Sequence, residues 1–231
     1  MKYKTIVFDF DGTLVDSNQL KLDAYLTVFN DLFDETCEQI IKYISGVSRR
    51  TRQEIIRDIL VVLKKERLID FSDLEKETEK RVSEYGKIVE RGITDSGGMP
   101  GAFDLLWQLR DGDWSIYLNS GTPTEPLKRI VNLLIAAKKI PPLQGIFGRI
   151  GEKNELEMKI GNLHSIANQE KLHPENLIFV GDHNNDKEAA EKINCLFIGV
   201  VNGYNNWVSS DDFFVVKDLR DILLFLERRD E

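Results

Sequence analysis

Cysteine is scarce. Of 231 residues only Cys37 and Cys195 carry a thiol, far apart and neither in a C-x-x-C pair. A disulfide-stapled scaffold is thereby excluded, a thiolate metal site is poorly supported, and a reducing compartment is implied. Long apolar runs are missing too: no stretch approaches the roughly 20 residues that a bilayer-spanning helix needs. The opening "MKYKTIVFDFDG" meets two acids too soon to be a secretory leader, so a cytoplasmic protein with no membrane partner is expected. Positive charge is in deficit, with 31 Lys and Arg against 39 Asp and Glu, a net charge of -8. Such a surface repels polyphosphate and argues against extended nucleic-acid binding. There is no internal repeat and no low-complexity tract.

What is present suits a globular protein. A hydrophobic fraction of 42% can fill a core in a chain of this length. Short apolar runs bounded by turn residues recur at "KTIVFDF" (4–10), "WSIYLNS" (114–120), "NLIFVGD" (176–182) and "CLFIGV" (195–200), with a weaker one at "QGIFGRI" (144–150). Apolar on both faces, they read as central parallel strands. Helix-period segments lie between them: "AFDLLWQLRDG" ending at Gly112, "TPTEPLKRIVNLLIAA" with Thr122, Pro123 and Glu125 in capping-box positions, "KIGNLHSIANQEKL", and Asp186 to Ile193. Strands alternating with helices predict an α/β fold with a doubly wound, Rossmann-like parallel sheet.

Residues 17–95 break that rhythm. Three helical stripes are read there: Leu20, Ala24, Val28, Leu32 and Phe33; then Ile55, Ile56, Ile59, Leu60 and Leu63 behind a Thr51–Glu54 capping box; then Leu74, Val82, Tyr85 and Val89. "RGITDSGGMPG" (91–101) has the glycine content of a returning linker. The organisation expected is a core domain of residues 1–16 and 96–231 carrying an inserted helical cap domain of residues 17–95.

Asp9 and Asp11 stand at the end of the first strand, where a buried strand resists charge. Two residues apart they can point the same way, and two crowded carboxylates call for a cation or a proton between them. A hard divalent ion suits oxygen ligands, and magnesium suits one that also holds a phosphate. Gly12 permits close backbone approach. The bland alternative is a D-G turn after a strand. Two further strand ends favour chemistry. "LNSGTP" places Ser120 and Gly121 before a helix start, where free N–H groups and a partial positive charge attract anions. "FVGDHNND" places Asp182 and Asp186 beyond a third strand.

On these boxes the chain resembles the haloacid dehalogenase superfamily, phosphatase branch: D-x-D-G-T as Asp9, Asp11, Gly12 and Thr13, the strand-end hydroxyl as Ser120, a lysine, and G-D-x-x-x-D as Gly181, Asp182 and Asp186. The resemblance runs the whole length, a helical cap between the first two boxes included. It implies that Asp9 is the nucleophile, forming an aspartyl-phosphate, and that Asp11 protonates the leaving oxygen and then deprotonates water. It implies Mg2+ held by Asp9, the Asp11 carbonyl and Asp182, with Asp186 as a further ligand. Ser120 and the Gly121 amide would hold the phosphoryl oxygens. Lys153 and Lys159 both precede the last box without the family's frequent K-P pair. Lys159 is favoured as the catalytic, substrate-binding lysine because it opens "KIGNLHSIA" at about the right distance from Asp182, and Lys153 is read as a solvated loop charge.

Arg49, Arg50 and Arg52 cluster in the expected cap. Arg49 is taken as a candidate substrate-binding residue, against the simpler reading of a solvated charge run. His183, Trp207 and Asn119 are read as loop or packing residues, and both cysteines as inert apolar ones. The function implied is magnesium-dependent hydrolysis of a small phosphorylated metabolite, similar to phosphoglycolate phosphatase, by a monomer or homodimer whose cap closes to exclude water. Two alternatives are a phosphomutase of the beta-phosphoglucomutase type, which shares the core boxes, and a catalytically silent binding protein of the same fold. The last is disfavoured by the presence of both Asp9 and Asp11.

Overall fold

The computed structural model describes residues 4–32, 35–46, 51–151, 154–202, 205, 207–208 and 213–229. The chain divides into two units, Met1–Asp16 with Ser96–Glu231, and Ser17–Asp95.

The first unit is built on six parallel strands: β1 (Thr5–Phe8), β2 (Ser115–Pro123), β3 (Gly145–Arg149), β4 (Leu177–Gly181), β5 (Leu196–Val200) and β6 (Phe214–Val216), in the order β3-β2-β1-β4-β5-β6. The chain winds outward from β1 through β2 to β3, then crosses to β4 on the other side. Order therefore reverses at β1, and the carboxyl ends of β1, β2 and β4 meet at the place where such sheets bind ligands. Helices α5 (Ala102–Asp111), α6 (Thr124–Ala136), α7 (Glu155–Glu170), α8 (Asn184–Ile193) and α9 (Asp221–Arg229) complete the unit. On one face Val7, Tyr117, Phe179 and Phe197 pack with Leu163 and Ile166 of α7 and Ala189 and Ala190 of α8. The alternate residues Ile6, Phe8, Ile116, Leu118, Ile178 and Val180 are buried toward the other face. Burial on both faces is why these strands read as unbroken apolar runs.

The fold class is the doubly wound parallel sheet the sequence predicts, and the five expected strands are all formed. Three local readings change. β6 and α9 were not anticipated, because a three-residue strand leaves too little pattern to detect. β2 runs on through Pro123, and α6 starts at Thr124 with no side-chain cap, so the expected Thr122 capping box does not form. The Thr122 hydroxyl has another partner, described below. α7 begins at Glu155 behind an Asn154 cap that accepts from the Leu156 and Glu157 amides, so Lys159 sits in its second turn instead of opening the helix. Trp207 packs edge-on against Phe197 and Phe213, with ring centroids 5.7 and 5.6 Å away.

The second unit is all helical: α1 (Asn18–Val28), α2 (Glu35–Ser45), α3 (Arg52–Lys65) and α4 (Leu74–Asp95). The Thr51–Glu54 capping box is present on α3. The first predicted stripe is too long: α1 ends at Phe29, before the weak helix formers Asn30 and Asp31, and Phe33 lies outside the described residues. α2, unread in the sequence, buries Cys37, Ile41 and Ile44. α4 runs into the segment taken for a linker, and its buried face is Thr78, Arg81, Tyr85, Val89 and Ile93, with Leu74 and Val82 only half-buried. Arg81 is tolerated inside because its guanidinium donates to both oxygens of Asp31 at 2.8 Å, to Glu77 at 2.8 Å and to the Val28 carbonyl. Among the described residues no helix is long and apolar enough to cross a membrane.

Candidate active site

Asp9 follows directly on β1, and its amide continues the parallel ladder by donating to the Val180 carbonyl of β4 at 2.8 Å. The chain then turns back, Gly12 donating to Val15 and Leu14 and Val15 both donating to Phe10. Gly12 has φ +75, and a Cβ there would lie 2.4 Å from Asp182 Oδ2. Only glycine lets the loop pass so close to that carboxylate.

Three carboxylates converge: Asp9, Asp182 and Asp186 each offer an oxygen within 4.8 Å of the others. Lys159 stands among them, its ammonium 2.5 Å from Asp186 Oδ1, 3.5 Å from Asp9 Oδ1 and 3.1 Å from Glu155 Oε1. The setting is dry, with relative exposures of 6% for Asp9, 0% for Asp186 and 1% for Lys159. Asp186 is held on its other oxygen by the His183 amide at 3.0 Å, part of a reciprocal cap in which His183 Nδ1 accepts from the Asn185 amide. Asp182 is held on both oxygens, by Thr13 Oγ1 at 3.0 Å and Asn202 Nδ2 at 2.6 Å.

Asp9 is different. Its Oδ1 is fully buried and accepts no hydrogen bond among the described residues. Burial drives the Asp9 carboxyl well above the usual carboxylate range; Lys159 opposes this, while Asp186, Asp182 and Asp11 add to it. Asp182 is pushed up to about 6, by burial first and Asp186 second, against the pull of Thr13, Asn202 and Lys159. Burial also works against the Lys159 charge, but Asp186, Asp9 and Glu155 outweigh it and hold the ammonium above its ordinary value. One lysine cannot balance three buried carboxylates. An orphaned carboxylate oxygen beside two more anions fits a hard cation with oxygen ligands.

The Asp11 side chain is not one of those three carboxylates. Its side chain accepts from Thr122 Oγ1 at 2.6 Å, at the end of β2. Ser120 lies in the same turn, buried, with its Oγ accepting from the Thr122 amide at 3.1 Å. The preceding residue, Asn119, donates to the Lys159 carbonyl at 2.9 Å and accepts from Asn162 Nδ2 at 2.9 Å, tying β2 to α7 beside the lysine.

Of the residues singled out from sequence, Asp9, Asp182, Asp186 and Lys159 are thus gathered at one point, while Asp11, Ser120 and Gly121 lie at the ends of the adjacent strands β1 and β2. Arg49, Arg50 and Lys153 lie outside the described residues. From sequence, Thr13 is named only as part of the first box and Thr122 only as a helix cap, and Asn202 and Glu155 have no role. Asn205 was also missed; it donates to the carbonyls of Asp182 and Val200, both at 2.9 Å. A signal for the two asparagines existed: they follow the end of β5, whose parallel neighbour β4 ends at Gly181, just before Asp182. The cysteines form no disulfide, and burial lifts the Cys195 thiol to about 12, the mark of an unreactive sulfur.

No curated protein matches the sequence. Among solved structures, a predicted phosphoglycolate phosphatase from Haemophilus somnus 129pt is similar at a TM-score of 0.70 and 18% identity, over 98% of this chain and 99% of that one. YfnB from Bacillus subtilis, provisionally assigned as a HAD-hydrolase and solved with magnesium, is similar at 0.69 and 16%, over 98% and 100%. A mutant of CbbY from Rhodobacter sphaeroides, in complex with xylulose-(1,5)bisphosphate, is similar at 0.65 and 16%, over 94% of each chain. At such identities these likenesses establish the shared fold. The family model for haloacid dehalogenase-like hydrolases matches residues 3–194, from before β1 to just past α8, and the chain belongs to that family of enzymes.

Proposed function

We propose that the protein is a magnesium-dependent phosphatase that cleaves a small phosphate monoester through an aspartyl-phosphate on Asp9. The observation that carries this reading is the Asp9 carboxylate, buried at a strand end beside Asp182 and Asp186, with one oxygen that accepts no hydrogen bond among the described residues and faces the Lys159 ammonium at 3.5 Å. An oxygen without a hydrogen bond is a nucleophile in waiting, provided that it is ionised. Burial alone favours its neutral form. Asp9, Asp182 and Asp186, with the Asp11 main-chain carbonyl, would hold Mg2+, which supplies charge neutralisation and orientation of the phosphoryl group.

In the proposed cycle an Asp9 oxygen bonds to phosphorus, and the ester oxygen leaves with a proton from Asp11. Water then attacks the aspartyl-phosphate, Asp11 takes the water's proton, and the Asp9 carboxylate is released with inorganic phosphate. Ser120 Oγ–H and the Gly121 amide are assigned to the transferring phosphoryl oxygens, where charge accumulates. Lys159 is assigned to offset the added negative charge. Residues 1–16 and 96–231 are proposed as the core domain bearing this chemistry, and 17–95 as the inserted cap domain. CbbY in complex with a sugar bisphosphate supports a small phosphorylated metabolite as substrate. The lack of a disulfide supports a cytoplasmic enzyme, the acidic balance one that does not engage nucleic acid, and it is proposed to act as a monomer or homodimer.

The test is phosphate release with Mg2+ from p-nitrophenyl phosphate and a panel of phosphorylated metabolites, 2-phosphoglycolate and sugar phosphates among them. Turnover that chelation abolishes, and that falls at least about a thousandfold in Asp9→Asn, is expected. No release from any monoester refutes the proposal, and isomerisation of a sugar phosphate that needs a bisphosphate activator replaces hydrolysis with mutase chemistry.

A further inference from the structure

We propose that Thr122 is a positioning residue for the proton transfer, its hydroxyl holding the Asp11 carboxyl in the attitude in which it protonates the leaving oxygen. This rests on the role given to Asp11 in the proposed reaction.

The starting point is a fault in the sheet. Asn119 pairs with Phe147 and Pro123 with Arg149, so between these rungs β2 spends Ser120, Gly121 and Thr122 where β3 spends only Gly148. The surplus pushes the end of β2 out of its ladder, as bulges beside active sites do. Gly148 makes the fault possible, since a Cβ there would lie 2.6 Å from Thr124 Cα and 2.7 Å from the Thr122 carbonyl oxygen.

Within the displaced turn, Thr122 faces both halves of the chemistry. Its amide donates to Ser120 Oγ at 3.1 Å, so Ser120 accepts there and keeps its own proton to donate to a phosphoryl oxygen. Its hydroxyl donates to Asp11 Oδ2 at 2.6 Å, across 111 residues of sequence. That hydroxyl was well placed to cap α6, where the T-P-T-E pattern asks for it, yet α6 has no side-chain cap. It serves Asp11 instead. A threonine is suited to the task, because branching at Cβ leaves χ1 few choices and makes the donor stiff. A carboxyl must lie within hydrogen-bond reach of the oxygen it protonates, in an orientation that small rotations destroy. Asp11 is half-buried, and its carboxyl is not one of the three that converge at Asp9, Asp182 and Asp186.

A hydroxyl that merely braces the turn is distinguished from one that positions the acid by the leaving group. The experiment compares kcat/KM, which includes the step that expels the leaving group, for p-nitrophenyl phosphate and phenyl phosphate. These esters share a shape, but phenol is much the weaker acid and so depends more on protonation. With the full-length chain and Mg2+, Thr122→Val is expected to lower kcat/KM for phenyl phosphate by about tenfold to a hundredfold more than for p-nitrophenyl phosphate. Thr122→Ser is expected to recover most of the difference. If Thr122→Val fails to fold, judged by its unfolding transition, Thr122→Ala is read in the same way. Equal losses on the two esters, or none, overturn the positioning role while the phosphatase reading stands. An unsubstituted enzyme that releases phosphate from no monoester, aryl or metabolite, overturns both.

Discussion

Lys159 is the residue on which the stability of the site turns. It is the cation set among Asp9, Asp186 and Glu155, and it lies in a helix that the sequence places easily. Removing its charge leaves buried carboxylates facing one another, and breaking such an ion cluster from one side costs about 3–5 kcal/mol. Lys159→Met is therefore expected to lower the midpoint of thermal unfolding strongly in metal-free buffer, with added magnesium recovering part of the loss. Asp9→Asn is expected to behave in the opposite way. It replaces a carboxyl that burial already drives toward neutrality, so it should unfold at the same temperature or higher while turnover is lost. Should Asp9→Asn prove the less stable of the two variants in calorimetry, the electrostatic account of the site is wrong. The acids were legible in sequence because charge at the end of an apolar strand breaks a strong rule. Thr122 and Asn202 were not, since a hydroxyl or an amide near a turn breaks none.

At the scale of elements, α4 shows how a helix can defeat a reading by hydrophobic stripe. Its buried face passes through Arg81, which no apolar pattern includes, and the guanidinium joins α4 to the segment just beyond α1 through Asp31 and the Val28 carbonyl. The Asp31 side chain is more than half exposed, so solvent screens much of the ion pair and the contribution is discounted to about 1–3 kcal/mol. Arg81→Met should lower stability by that amount in chemical unfolding. The hydrogen bond from Arg81 holds the Asp31 carboxyl below its usual 3.8. A carboxylate whose folded value is depressed contributes stability above its unfolded value and loses it as pH falls through the folded one. The difference between the unsubstituted chain and Arg81→Met should accordingly be full near neutrality and shrink below about pH 4.

For the whole molecule, a magnesium ion at the proposed site would compete with protons for the same carboxylates. Asp182 titrates near 6 in the folded chain against 3.8 for an ordinary aspartate. The metal-free fold thus binds more protons than the unfolded chain across that window, and the slope of stability with pH is negative there. Deprotonation as pH rises from about 4 to 6 destabilises the metal-free protein, and a bound cation reverses the sign by stabilising the ionised carboxylates. The rise in unfolding temperature on adding Mg2+ is expected to be large at pH 7.5 and small at pH 5. A shift independent of pH would show that the cation binds elsewhere.

By itself the sequence determined five of the strands, most of the helices and the residues of the candidate site: apolar runs bounded by turns, helix periods between them, and acids and a hydroxyl at strand ends. These are local signals, because hydrophobic period, turn chemistry and misplaced charge are each written within a dozen residues. Only the tertiary structure decided which partner serves which group, with Thr122 reaching Asp11, Asn202 reaching Asp182, and Lys159 entering between Asp9 and Asp186. Those pairings depend on the order and register of parallel strands and on a two-residue surplus in β2. Long-range register is a property of the assembled sheet, and no short stretch of the chain encodes it.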